Sequence, residues 1–200
     1  MNGAVVGCGI VSGTLAPVIY NNHNLMAYTQ TCQDTVEAIQ ARALSHGRPD
    51  IIVWGSTDEQ ASIVDPPSGG HVLASGTPLW TSVMLHRMDS RVREFIATGS
   101  KVVLLLQPAK ALESDSNRSE KVDQGYERLN NLLRTVASQF PRDVALVDLA
   151  ERVCPSGPPC PYTVHGLALR PDNLHYSVSG SLWVARWLVP RVVAAAESVH

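Results

Sequence analysis

Residues 49–59 read PDIIVWGSTDE, and the reading of this stretch decides the fold. Four apolar side chains, Ile51 to Trp54, follow Pro49 and Asp50 and stop at Gly55. A strand with one wet face alternates apolar and polar residues, whereas a short unbroken run fits a strand covered on both faces. The same grammar returns at KVVLLLQP (101–108) and DVALVDL (143–149). Segments of helical period lie between these runs. DTVEAIQARALSHG (34–47) sets Val36, Ile39, Ala43 and Leu44 on one face, with Asp34 as expected N-cap and Gly47 as stop. Thr77-Pro78 opens a second helix that runs to about Thr98. Residues 119–139 make a third, with Val122, Tyr126, Leu129, Leu132, Leu133 and Val136 in period. Ser177 caps a last helix in which Trp183, Val184, Trp187 and Leu188 share a face and Pro190 is expected to bend or break the run.

Strands and helices that alternate in this way predict an α/β fold: a parallel sheet in three layers with helices on both faces. Active residues of such folds gather in loops at the carboxyl ends of the strands. NGAVV (2–6) reads as a further short buried strand, 7–31 as a long loop, and 152–170 as irregular. The polar loops 56–76 and 108–119 are expected at a rim or lid.

With 44% apolar and 17% charged residues in 200, one compact domain over 1–200 is the expectation. A formal charge of -2, without a Lys/Arg cluster, argues against nucleic acid as a partner. No run of eighteen apolar residues occurs, so no membrane span is expected. The apolar start lacks a basic n-region, and VVGC leaves only seven residues ahead of Cys8, too few for an export helix. The four cysteines fall into two pairs, Cys8 with Cys32 and Cys154 with Cys160, neither spaced as CxxC. Prolines and a glycine inside CPSGPPCP (154–161) suit a tight covalent loop better than a metal knuckle. Disulfides, and with them an oxidising compartment, are therefore expected over four free thiols.

The chemistry is concentrated in LRPDNLHYSVSG (169–180). An Asp three residues before a His can sit on the same side of a turn, accept the imidazole N–H and fix its tautomer. The other ring nitrogen then takes a proton from a nucleophilic hydroxyl. Asp172 and His175 are the candidates, and the small polar residues after Trp54 could donate to a developing oxyanion. His86, with Asp89 three residues later, reads as a solvated helix face.

RPDNLHYSVSGSLWVARWLVPRV (170–192) resembles the last block of the SGNH (GDSL-like) hydrolases. With the CP…CP loop, GLALRPDNLH (166–175) and the Trp-rich last helix, it is most similar to the extracytoplasmic domain of actinobacterial membrane acyltransferases. The resemblance implies a flavodoxin-like sheet and a Ser/His/Asp relay that hydrolyses or transfers acyl (O-acetyl) groups on carbohydrate or lipid esters. It implies no metal and no cofactor, a membrane acyltransferase as partner, and a site outside the cytoplasm. NGAVVGCGI (2–10) is similar to the second block, which makes Gly7 the oxyanion glycine, with Gly9 as the alternative. WGSTDE (54–59) resembles the third with Thr57 in place of Asn. Gly-Asp-Ser, the serine block, occurs nowhere in the sequence, so the first strand and the nucleophile are expected to be missing. Ser12 and Ser56 are the candidate substitutes, and a truncated, inactive glycan- or protein-binding module is the alternative function.

Overall fold

The computed structural model describes residues 8–11, 14, 25–66, 70–110 and 120–199. The chain divides into two compact units, Met1–Val102 and Val103–His200. In order, the first holds helix α1 (Leu25–Gly47), strands β1 (Ile51–Trp54), β2 (Ile63–Asp65) and β3 (His71–Leu73), helix α2 (Pro78–Ala97) and the start of β4 (Lys101–Leu106). The second holds the rest of β4, then α3 (Glu120–Gln139), β5 (Val144–Asp148), α4 (Leu149–Val153), β6 (Thr163–Val164), β7 (Leu167–Ala168) and α5 (Val178–Glu197). Strands β1, β4 and β5 form a parallel sheet in that order with helices around it, which is the expected α/β architecture.

The three apolar runs are strands, but they are not equally covered. From Val102 to Leu106 every residue of the central strand β4 is buried. In β1, which ends the sheet among the described residues, Trp54 is buried while Val53 is exposed. Leu146 of β5 is likewise exposed. An apolar run thus marks the strand without saying which one lies in the middle.

In the first unit, α2 begins as expected. Thr77 Oγ1 accepts the Trp80 N–H, Pro78 occupies the first turn, and the helix ends just before Gly99 at φ +87°. Its buried face is Trp80, Met84, Met88, Val92 and Phe95, at helical spacing. Phe95 meets Trp54 edge-on with centroids 6.3 Å apart. The segment expected to be a rim loop instead carries a hairpin, β2 with β3, in which Ile63 faces Leu73. Arg87 holds it to α2 through Asp65 Oδ1 at 2.6 Å and the Val64 carbonyl at 2.8 Å. Helix α1 starts at Leu25, nine residues before the expected cap, so Asp34 lies inside it. An acid ahead of an apolar period resembles a helix start even when it lies inside the helix. Residues 2–6 lie outside the described residues.

In the second unit, α3 buries Tyr126, Leu129, Leu132, Leu133 and Val136. The irregular stretch holds the short helix α4 and the β6–β7 hairpin. Ser177 caps α5 by accepting the Gly180 N–H at 2.9 Å. The helix runs unbroken through Pro190, which is exposed, as is Arg186 four residues earlier, so the carbonyl that loses its donor can turn to water. Leu149, Val153, Leu169 and Val184 form the core beneath it, with Trp183, Trp187 and Leu188 packed on top.

Both expected disulfides are present, Cys8–Cys32 and Cys154–Cys160. The first links residues 24 apart, and on the chain-entropy account its loss by Cys32→Ser should cost about 3 kcal/mol, against less for the short loop. A backbone contact is expected to be as demanding. A Cβ on residue 180 would lie 2.5 Å from the Leu169 carbonyl oxygen, so Gly180→Ala should destabilise by roughly 1–3 kcal/mol in denaturant unfolding.

Candidate active site

The loop between β7 and α5 is built around one carboxylate. Asp172 Oδ1 accepts the N–H of Leu174 at 3.0 Å and of His175 at 2.6 Å, an Asx turn that folds the next three residues back over it. Asn173 sits at φ +69°, a left-handed conformation that Asn tolerates and that the turn requires. The turn leaves Oδ2 free to meet the ring of His175, and Nδ1 lies 2.6 Å away. With the proton on Nδ1, His175 donates to Asp172 and Nε2 is the basic nitrogen. The His175 side chain is 71% exposed, so Nε2 can be reached from solvent.

These bonds govern the charge on the acid. The hydrogen bond from the His175 side chain foremost holds the Asp172 carboxyl down to about 2; burial, the next largest effect, opposes it, and the His175 and Leu174 backbone N–H groups add to the fall. Asp172 is thus an anion at any ordinary pH.

The loop's two ends are held by backbone. Ser177 N–H donates to the Leu169 carbonyl at 3.0 Å, and the Ser177 hydroxyl donates to Ala168 O at 2.8 Å. Just ahead of the dyad, Arg170 is buried and donates through Nη1 to the Ala109 carbonyl at 2.7 Å. Burial lowers its pKa, opposed by Tyr176 and Tyr126. Single-sequence reading missed Arg170, since an arginine between Leu and Pro in a polar loop reads as solvated.

The second group of candidates lies in the other unit, on the turn after β1. Thr57 is the N-cap of a 3-10 turn, Asp58–Gln60, yet its side chain makes no capping bond. Its hydroxyl is therefore not spent on the turn. Ser56 Oγ accepts the Asp58 N–H at 3.2 Å, so this candidate nucleophile has a local structural partner. Burial raises the Asp58 carboxyl. Gly7 and Ser12 lie outside the described residues. A cavity of about 740 Å³ runs along β1 to this turn, with Gln40, Leu44, Ile51, Val53, Trp54 and Thr57 among its walls. Among the described residues, no cluster of three or more His, Cys, Asp or Glu could hold a metal, and no helix is long and apolar enough to cross a membrane.

A parallel α/β sheet and a carboxylate–imidazole pair ahead of the last helix fit a domain of hydrolase or acyltransferase type. The family described as "SGNH domain (fused to AT3 domains)" matches residues 4–190, and the chain belongs to it. No curated protein matches the chain.

The hydrogen bond that sets the Asp172 charge can be measured directly. In His175→Ala the Asp172 carboxyl should titrate back toward its ordinary value of 3.8, while in the wild type carbon-detected NMR should place it near 2. Because the folded value is depressed, this pairing stabilises the fold above the unfolded value and is lost as pH falls toward about 2. An Asp172 titration unaltered by the substitution would show that the backbone N–H groups alone hold the charge.

Proposed function

We propose that the chain is an SGNH-type ester hydrolase or O-acetyl transfer domain acting on carbohydrate or lipid esters. The observation that carries this reading is the 2.6 Å contact between Asp172 Oδ2 and His175 Nδ1, which leaves Nε2 exposed as a base. In this mechanism Nε2 takes the proton of a serine hydroxyl as its oxygen attacks the ester carbonyl. Asp172 stabilises the imidazolium that results. The tetrahedral oxyanion accepts from the Gly7 N–H, with Gly9 as the alternative, and from the Thr57 hydroxyl. Collapse passes the proton from His175 to the leaving alcohol and leaves an acyl-serine, which water or an acceptor hydroxyl then cleaves. Within these residues Ser12 and Ser56 are the candidate nucleophiles. The disulfides support action outside the cytoplasm, and the family's description supports a membrane acyltransferase as partner.

A second reading, an inactive SGNH-like module that binds glycan or protein, is favoured by the lack of Gly-Asp-Ser in the sequence. A fluorophosphonate probe and p-nitrophenyl acetate separate the two. For an enzyme, the probe labels one serine, His175→Ala abolishes labelling and lowers kcat by roughly 10³-fold or more, and Thr57→Ala lowers it by about 10–100-fold. An unlabelled chain, or turnover indifferent to His175→Ala, leaves the binding module.

A further inference from the structure

Glu59 is fully buried, yet it carries a carboxylate inside the first unit. Its Oε1 accepts the N–H of Ile10 at 2.5 Å and lies 3.4 Å from the N–H of Val11, across 49 and 48 residues of sequence. Two successive backbone N–H groups converging on one oxygen make a small anion-binding concavity. Oε2 is buried and has no hydrogen-bonding partner among the described residues. The segment it grips is braced on its other sides. Cys8 is bonded to Cys32 of α1, Thr14 Oγ1 donates to the Val11 carbonyl at 2.9 Å, and Thr14 bridges to Ile63. Gly9 packs so tightly on Thr14 that a Cβ there would come within 2.8 Å of its side chain.

We propose that Glu59 is a positioning residue that clamps the 8–11 segment to the turn carrying Thr57. The alternative oxyanion glycine, Gly9, and Thr57 are then held as one body, and this catalytic consequence rests on that reading. Stability does not explain the choice of residue. Burial raises the Glu59 carboxyl above its ordinary 4.5, opposed by the Ser56 hydroxyl and the Glu59 and Ile10 N–H groups, with Asp58 adding to the rise. A folded-state value above the unfolded one means that stability falls as pH climbs from the unfolded value through the folded one, so the ionised form is destabilising. A neutral isostere would fold at least as well, whereas the charge strengthens the grip on the two amides.

The test compares the wild type with Glu59→Gln and Glu59→Ala by amide NMR and p-nitrophenyl acetate turnover. The Ile10 and Val11 amide shifts should follow one carboxyl titration, absent in Glu59→Gln, whose Tm at neutral pH should equal or exceed that of the wild type. In Glu59→Ala both amides should exchange about tenfold faster. Its kcat should fall by about tenfold or more at unchanged KM, with most of the rate retained by Glu59→Gln. If Glu59→Ala does not fold, the titration in the wild type and its loss in Glu59→Gln decide the clamp. Amides that neither titrate nor exchange faster overturn it. A clamp seen by NMR with kcat unchanged overturns the positioning role and leaves the hydrolase reading standing. A wild type that hydrolyses no ester and takes up no fluorophosphonate removes that reading, and the amide titration then judges the clamp by itself.

Discussion

The Leu169 carbonyl oxygen is the constraint on which the dyad loop depends. It accepts the Ser177 N–H at 3.0 Å and lies where a side chain on residue 180 would have to go. Only a glycine lets the first turn of α5 press onto this oxygen, and that approach draws residues 170–177 into a closed loop. Leu169 itself is fully buried beside Val153 and Val184, so the oxygen that closes the loop belongs to the core of the second unit. Within that loop Asp172 needs only local N–H groups to face its imidazole. The carboxylate–imidazole pair therefore takes its rigidity from the core while staying exposed to solvent.

Much of this was legible in the sequence, for physical reasons that can be named. Thr77-Pro78 and Ser177 announce helix starts through chemistry local to one turn, and both are N-caps in the structure. The pairing of Cys154 with Cys160 was legible because the prolines and glycine between them suit a tight covalent loop, and that of Cys8 with Cys32 because it tethers an aperiodic segment. Asp-x-x-His was legible because an Asx turn makes that spacing meet. The start of α1 was not, since Asp34, a strong capping residue type, lies inside the helix and resembles a start. The β2–β3 hairpin was hidden too, because its three-residue strands sit in a polar stretch whose pairing is a tertiary event.

The buried ionisable groups lay furthest from view. Glu59 follows an acid in a polar turn and Arg170 precedes a proline in a loop, positions where single-sequence reasoning expects exposed side chains. Apart from the nearby Ser56 hydroxyl on Glu59, the partners named for them are backbone groups, Ile10 and Val11 N–H for one and Ala109 O for the other, remote in sequence and invisible to any spacing rule. Residue type alone says nothing of such bonds, because every residue but proline offers the same N–H.

Asp172 and Glu59 show how environment, not residue type, decides what a carboxylate does in this chain. Each accepts two backbone N–H groups on a single oxygen. Asp172 adds an imidazole on its second oxygen and remains about half exposed, so hydrogen bonding outweighs desolvation and its carboxyl falls to about 2. Glu59 has no partner on its second oxygen among the described residues and is fully buried, so desolvation outweighs the donors on its first and its carboxyl rises. The exposed acid is fixed as an anion and can orient a base without taking the proton itself. Ionising the buried one costs stability, so its place is better explained by the segment it holds than by any strengthening of the fold.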